Sequence, residues 1–374
     1  MRDMVEVGPG KIAARGWRLD DVALVPTRRT RDIDDVSTEW QLDAYHFEIP
    51  AMAHPSDATM SPATAIEMGR LGGLGVVNAE GLWCRYVDPT SILKELAESP
   101  EDVAVERLQD AYREPVKPEL IAERIAEVRA AGVTTAVRVS PQHTQEYAPL
   151  AVEAGIDLLV IQGTIVSAEH VSSGGDVLNL KTYISDLDVP VVVGGATNYK
   201  TAMHLMRTGA AGVIIGVGSD EWSTTDSVLG IDVPMATAVV EAAAARRDYL
   251  DETGGRYVHL IADGEITNSG SIAKALACGA DSVMLGSVMA EAAEAPAMGA
   301  WWHSAASHPK LPRGRFRSIA AAEMEVPDME ALLYGPATSS VGNQNLFGAL
   351  RRAMAKTGYT SVKEFQRADL VSYL

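Results

Sequence analysis

Cysteine is almost missing from this chain of 374 residues: there are two, Cys84 and Cys278. Two cannot build a disulfide framework, and their spacing excludes a structural zinc site. Positive charge is the minority sign, since 32 Lys and Arg stand against 50 Asp and Glu, which leaves a net charge of −18 and a pI near 4.9. That balance offers no cationic surface to a nucleic-acid backbone or an anionic membrane, so any anionic ligand must be gathered by local groups. Long apolar runs are missing too. No window reaches the roughly 18 consecutive apolar residues of a membrane span, and the first residues carry no apolar leader. These absences predict a cytoplasmic protein. What is present is 47% hydrophobic and 22% charged, enough for a large core in one enlarged α/β barrel or two smaller domains.

Residues 1–48 mix charge with loop signals and read as an extended arm packed on the outside of the rest of the chain. Short runs rich in Val, Ile, Leu or Met then recur at 49–54, 74–78, 136–140, 157–162, 189–194, 211–216, 258–263 and 282–286, each ended by Gly, Pro or a polar residue. Helix-period segments separate them at 62–71, 118–131, 145–154, 178–187, 199–208, 234–250 and 271–278. The helix exits at Gly132, Gly155, Gly209 and Gly279 mark the left-handed residue that glycine adopts cheaply after a helix. Strands alternating with helices predict a TIM (β/α)8 barrel with its core over about 49–295. The connection 86–117 is longer than a barrel needs and reads as a small helical insert. After Gly286 a helix is expected to run to about Ala295. A long irregular segment comes next, within 296–374; its basic run 310–317 reads as a lid, and 346–356 as a last helix.

The chemistry is expected at the C-terminal ends of the strands. The residues there are Asp57, Asn78, Arg138, Gln162, Gly194, Gly195, Gly216 and the loop to Thr225, Asp263, Gly264, Gly286 and Ser287. Two adjacent parallel strands ending on Asp263-Gly264 and Gly286-Ser287 offer one carboxylate and several glycine N–H groups, which suit a ribose diol and a phosphate. Asp263 could instead cap the next helix, and Gly286-Ser287 could be a bare turn.

Five segments, 19–26 (Leu-Asp-Asp-Val-Ala-Leu-Val-Pro), 35–38, 70–76, 262–264 (Ala-Asp-Gly) and 274–287, resemble the IMP dehydrogenase and GMP reductase family over nearly the whole chain. The helical insert stands where that family often carries two CBS domains. Segments 53–57, 162–170 and 243–259 are most similar to the shorter actinobacterial branch labelled GuaB3. The resemblance implies a purine nucleotide such as IMP, NAD or NADP as cofactor, a bound monovalent cation, and a homo-oligomer, tetramer or octamer. Carried over by position, Asp263 binds the ribose hydroxyls, and Gly264, Gly286 and Ser287 bind the phosphate. Gln162, Gly194 and Gly195 meet the cofactor, Gly216 and Gly218 lie in the cation loop, and Arg315 is the flap arginine that activates water. Ser223 and Thr225 fall on the catalytic loop.

The family's cysteine nucleophile is where the resemblance breaks. Its Gly-x-Gly-Pro-Gly-Ser-x-Cys-x-Thr is here Gly216-Val-Gly-Ser-Asp-Glu-Trp-Ser-Thr-Thr225, with Ser223 in place of the cysteine. A hydroxyl without an adjacent base is a poor nucleophile. Glu265 replaces a third glycine beside the phosphate and repels it unless it turns away; Gln162 replaces an aspartate and Gly195 an asparagine. Cys84 is the one candidate for a substitute thiol, against the commoner role of cysteine as a small buried hydrophobe. Three readings stand: an NAD(P)-dependent oxidoreductase of purine nucleotides, a non-catalytic purine-nucleotide-binding or regulatory partner of a true IMP dehydrogenase, and a barrel for an unrelated ligand.

Overall fold

A computed structural model describes residues 4–168, 170, 178–216, 223–304, 317–318 and 326–373. Eight short parallel strands lie at the expected places: β1 (Ala51–Ala53), β2 (Val76–Asn78), β3 (Ala136–Val139), β4 (Leu158–Gln162), β5 (Val191–Ala196), β6 (Gly212–Ile215), β7 (His259–Ala262) and β8 (Ser282–Leu285). They pair in sequence from β2 to β8, β8 pairs with β1, and a parallel bridge between Met52 and Leu74 brings β1 to β2. The ring is therefore a (β/α)8 barrel.

Alternation along each strand sends its side chains to two cores. On β4, Leu158 and Val160 join Met52, Val76, Ala136, Val192, Ile214, Ile261 and Met284 inside the barrel, whereas Leu159 and Ile161 face the surrounding helices. Those helices are α1 (Pro62–Arg70), α4 (Pro118–Ala130), α5 (Thr144–Glu153), α6 (Leu180–Ser185), α7 (Tyr199–Met206), α9 (Met235–Thr253) and α10 (Ser269–Ala277). Their entries follow capping rules: Ser61, Asn179, Asn198 and Asn268 each accept a backbone N–H from the first turn. Asn268, not Asp263, caps α10, so the carboxylate at the end of β7 is left to the barrel mouth. The insert holds α2 (Thr90–Ala97) and α3 (Glu101–Ala111), and α8 (Thr225–Leu229) follows β6.

The N-terminal arm is more than an outer wrap. A hairpin, Trp40–Leu42 with Tyr45–Phe47, buries Trp40, Leu42 and Phe47 against the interior residues of the barrel and plugs its lower end. Val22–Leu24 pairs with Leu370–Ser372, which ties the arm to the C-terminus beyond α11 (Met329–Tyr334), α12 (Leu346–Lys356) and α13 (Val362–Phe365). The first hairpin, Met4–Gly8 with Lys11–Ala14, is exposed throughout most of its length. One expected element is corrected. The helix from Gly286 to about Ala295 is a single 3-10 turn, Ser287–Glu291, because Ala292 is already extended. The basic run expected to form a lid lies outside the described residues, except Arg317, whose backbone pairs with Trp301.

Candidate functional site at the barrel mouth

The tips of β7 and β8 lie together because the strands run parallel in register, Ala262 beside Val283. Each tip turns on a glycine: Gly264 takes φ +143°, open to glycine and costly for other residues, and Gly286 turns with φ −105° and ψ −106° into Ser287. The neighbouring tip of β6 is tighter still. Gly216 has φ +138°, and a Cβ there would lie 1.7 Å from the Asp263 carbonyl oxygen, so only glycine lets β6 close on β7. Across the mouth, the Gln162 amide nitrogen donates to Asp263 Oδ2 at 2.9 Å, while Gln162 Oε1 is buried without a partner among the described residues. Sequence reasoning put both residues at the barrel mouth, Asp263 toward the ribose and Gln162 toward the cofactor, and the structure links them by a hydrogen bond.

Glu265, the residue that threatened a phosphate, turns outward. It accepts from the Leu19 N–H at 2.7 Å, from Met235 N–H at 3.4 Å, and pairs with Arg18 at 3.4 Å. Burial raises its carboxyl above the ordinary value, and these donors oppose that rise. Gly194 and Gly195, joined by a cis peptide, use their backbone on the β4 loop: Gly163 N–H donates to Gly194 O, Gly195 N–H to Gly163 O, and Val166 N–H to Gly195 O. Gly194 also has no room for a side chain, with Ile214 Cβ 2.5 Å from where its Cβ would be.

Ser223 and Thr225 stand together after β6. The Ser223 hydroxyl donates to Thr225 Oγ1 at 3.1 Å and accepts the Thr225 N–H at 3.2 Å. The Thr225 hydroxyl takes up no proton at neutral pH. Cys84 and Cys278 are both buried, and burial pushes both thiols up to about 12, away from the thiolate form. Gly218 and Arg315 lie outside the described residues.

The sequence reading named Asn78, Arg138 and Asp57 at the strand ends but missed the two clusters they belong to. Arg138, at the end of β3, is buried and bonds Glu80 Oε2 at 2.9 Å, Asn78 Oδ1 at 3.3 Å and the Gln162 carbonyl at 2.7 Å. Burial raises the Glu80 carboxyl, but His143, Arg138 and Ser140 outweigh it and bring it down to about 2. The second cluster is His54 and His303, whose Nε2 atoms are 3.1 Å apart beside Trp301. Burial lowers both imidazoles, His303 to about 4, so both are neutral at physiological pH. Below them Asp57 accepts from Tyr112 OH and Leu82 N–H, with Trp302 Nε1 on the Tyr112 oxygen at 3.3 Å. No spacing signals such groups, since His54 and His303 are 249 residues apart. Their sequence signs are position, since His54 and Asp57 follow β1 and Glu80 follows β2, and, for His54 and Asp57, the segment 53–57 that carries part of the resemblance.

The sequence of residues 16–373 matches the family described as the IMP dehydrogenase / GMP reductase domain. This chain belongs to that family of oxidoreductases, built here on a mouth with the glycine turns and carboxylate just described. Among relatives, it is 58% identical to an uncharacterized oxidoreductase of Mycobacterium tuberculosis over 98% of this chain and 99% of that one. It is 28% identical to the inosine-5'-monophosphate dehydrogenase of Cryptosporidium parvum over 76% of this chain and 70% of the other. A crystal structure of an IMP dehydrogenase/GMP reductase-like protein from Corynebacterium glutamicum superposes with a TM-score of 0.94 at 51% identity, covering 99% and 98% of the two chains.

Proposed function

We propose that the protein is an IMP dehydrogenase-related oxidoreductase of purine nucleotide metabolism that binds a purine nucleotide such as IMP, with NAD or NADP, at the barrel mouth. The observation that carries the reading is the pairing of the β7 and β8 tips: Asp263, held by Gln162, stands beside the glycine turns at Gly264 and Gly286-Ser287. In this reading Asp263 takes the ribose hydroxyls, and the backbone N–H groups of Gly264, Gly286 and Ser287 take the phosphate. The outward turn of Glu265 supports it, since the carboxylate is engaged with Leu19 and Arg18 instead of facing the anion. Gly195 meets the cofactor, and the loop from Gly216 holds a monovalent cation. We place the working form in the cytoplasm as a homo-oligomer, tetramer or octamer.

A second reading, a non-catalytic nucleotide-binding partner of a true IMP dehydrogenase, is favoured by one observation. Both thiols of the chain, Cys84 and Cys278, are buried, and burial pushes them up to about 12. The shared element of the two readings is nucleotide binding. Thermal shift with IMP, XMP, GMP, NAD and NADP, on the wild type and on Ser287→Asp, tests it. Stabilisation by a nucleotide that the added charge abolishes is expected. Stabilisation that survives Ser287→Asp unchanged puts the site elsewhere.

A further inference from the structure

We propose that His54, His303 and Asp263 form a binding site for one divalent transition-metal ion, of the zinc, iron or cobalt class, at the barrel mouth. One nitrogen from each ring and one carboxylate oxygen all lie within 4.8 Å of one another. The three come from distant parts of the chain: His54 from the end of β1, Asp263 from the end of β7, and His303 from the segment after β8. The fold, and no local turn, brings them together.

The ring geometry suits an ion. Imidazole nitrogens bind zinc at about 2.0–2.1 Å, so two of them on one ion are separated by about 2.9 Å at a right angle and about 3.4 Å at a tetrahedral angle. The observed Nε2 to Nε2 distance is 3.1 Å, with ring centroids 4.4 Å apart and planes inclined at 58°. A hydrogen bond between two neutral rings also fits that distance. It does not account for a third Lewis base, the Asp263 carboxylate, converging on the same point. Nor does it use the buried Gln162 Oε1, an acceptor beside that carboxylate with no partner among the described residues.

Chemistry narrows the ion. Two imidazoles are unsuited to magnesium or calcium, which take oxygen ligands, and suit borderline metals; two histidines with one carboxylate leave positions open for water or a ligand oxygen. Electrostatics permits it as well. Arg138 is the near cation, and its charge is met by Glu80 at 2.9 Å, while the chain as a whole carries −18. The site holds whether or not a purine nucleotide binds, because it needs only these three side chains. With a nucleotide present, the ion would share Asp263 with the sugar.

The test uses the full-length protein stripped with a chelator and titrated with Co2+ in the absence of nucleotide. One equivalent is expected to bind and to give the strong visible ligand-field band of a low-coordinate site. His54→Gln and His303→Gln should each weaken binding by more than about tenfold, the scale on which metal sites respond to lost partners. His204→Gln, an exposed histidine on α7, should leave it unchanged. X-ray absorption on the wild type with Zn2+ gives a readout that no variant's folding can obscure: imidazole scattering from two nitrogens at about 2.0–2.1 Å is expected. A titration without saturation, a band that persists in both histidine variants, or an absorption spectrum without imidazole scattering would overturn the proposal and leave the pair as a hydrogen bond between neutral rings.

Discussion

Asp57 shows how much one side chain at the mouth depends on its surroundings. It is buried, with Oδ1 unpartnered among the described residues, and burial outweighs its bonds from Tyr112 and Leu82, raising the carboxyl to about 6. The sign of its linkage is set by that rise. A carboxyl with a folded pKa above its unfolded value of 3.8 holds its proton in the native state while the unfolded chain has lost it, so stability falls as pH rises from about 4 to 6. The stability gap between wild type and Asp57→Asn should therefore shift against the wild type by about 2 kcal/mol between pH 4 and pH 7. Denaturant unfolding of both proteins across that range checks it. A gap independent of pH would show that Asp57 is ionised with an ordinary pKa. Glu80 has the opposite sign: its carboxyl is held down at about 2, so the stability it contributes is present above the ordinary value of 4.5 and fades as pH falls toward 2.

At the scale of elements, the loop after β7 is held in place by its links to the arm. Glu265, at φ +58°, anchors that loop to the Leu19 N–H, to Arg18 and to the start of α9 through Met235. Glu265→Ala leaves a part-buried N–H without its acceptor and is expected to cost about 1–3 kcal/mol, read as a lower melting temperature. An unchanged melting temperature would mean that the arm is held by its apolar contacts alone. Gly216→Ala should do more damage. The added methyl meets the Asp263 carbonyl, so β6 and β7 must separate, and nucleotide stabilisation should be lost along with fold stability. A variant that keeps both would show that the two strand ends need not approach so closely.

The same elements show what could be read from the chain. The eight strands and their helices were legible because apolar runs ended by Gly, Pro or a polar residue, and helix exits at Gly132, Gly155, Gly209 and Gly279, are local signals. That Asp263 and Gln162 share the barrel mouth was legible through the barrel, but their hydrogen bond was not, since the partners are 101 residues apart. The barrel plug formed by Trp40, Leu42 and Phe47 was not visible, because a short hairpin that follows a charged, loop-rich stretch reads as arm until its partner surface is known. The helix expected after Gly286 failed for a local reason: helical spacing continues through Ala290 to Ala295, but the backbone leaves the helix at Ala292. The His54 and His303 pair was not legible as a pair: His54 lies in the segment 53–57 that carries part of the resemblance, but nothing in the sequence links it to a residue 249 positions on.

In the whole molecule, family membership goes together with two cysteines that are both buried. By the resemblance to the family's catalytic loop, the cysteine position is expected to fall on Ser223, which bonds Thr225, and the chain's two cysteines are both buried. Returning a cysteine at position 223 alone should not create an efficient enzyme, because Asp220 and Glu221 lie beside it in sequence and raise a thiol's pKa. The central claim is that this barrel binds a purine nucleotide without the covalent route to its oxidation. It is tested most directly by steady-state formation of NADH or NADPH from IMP by the unmodified protein. The loss of a nucleophile commonly costs about 10^3 to 10^6 in rate, so turnover should be undetectable or lower than that of ordinary family members by such a factor. Turnover at a rate comparable with theirs would contradict the account and require a nucleophile other than Ser223.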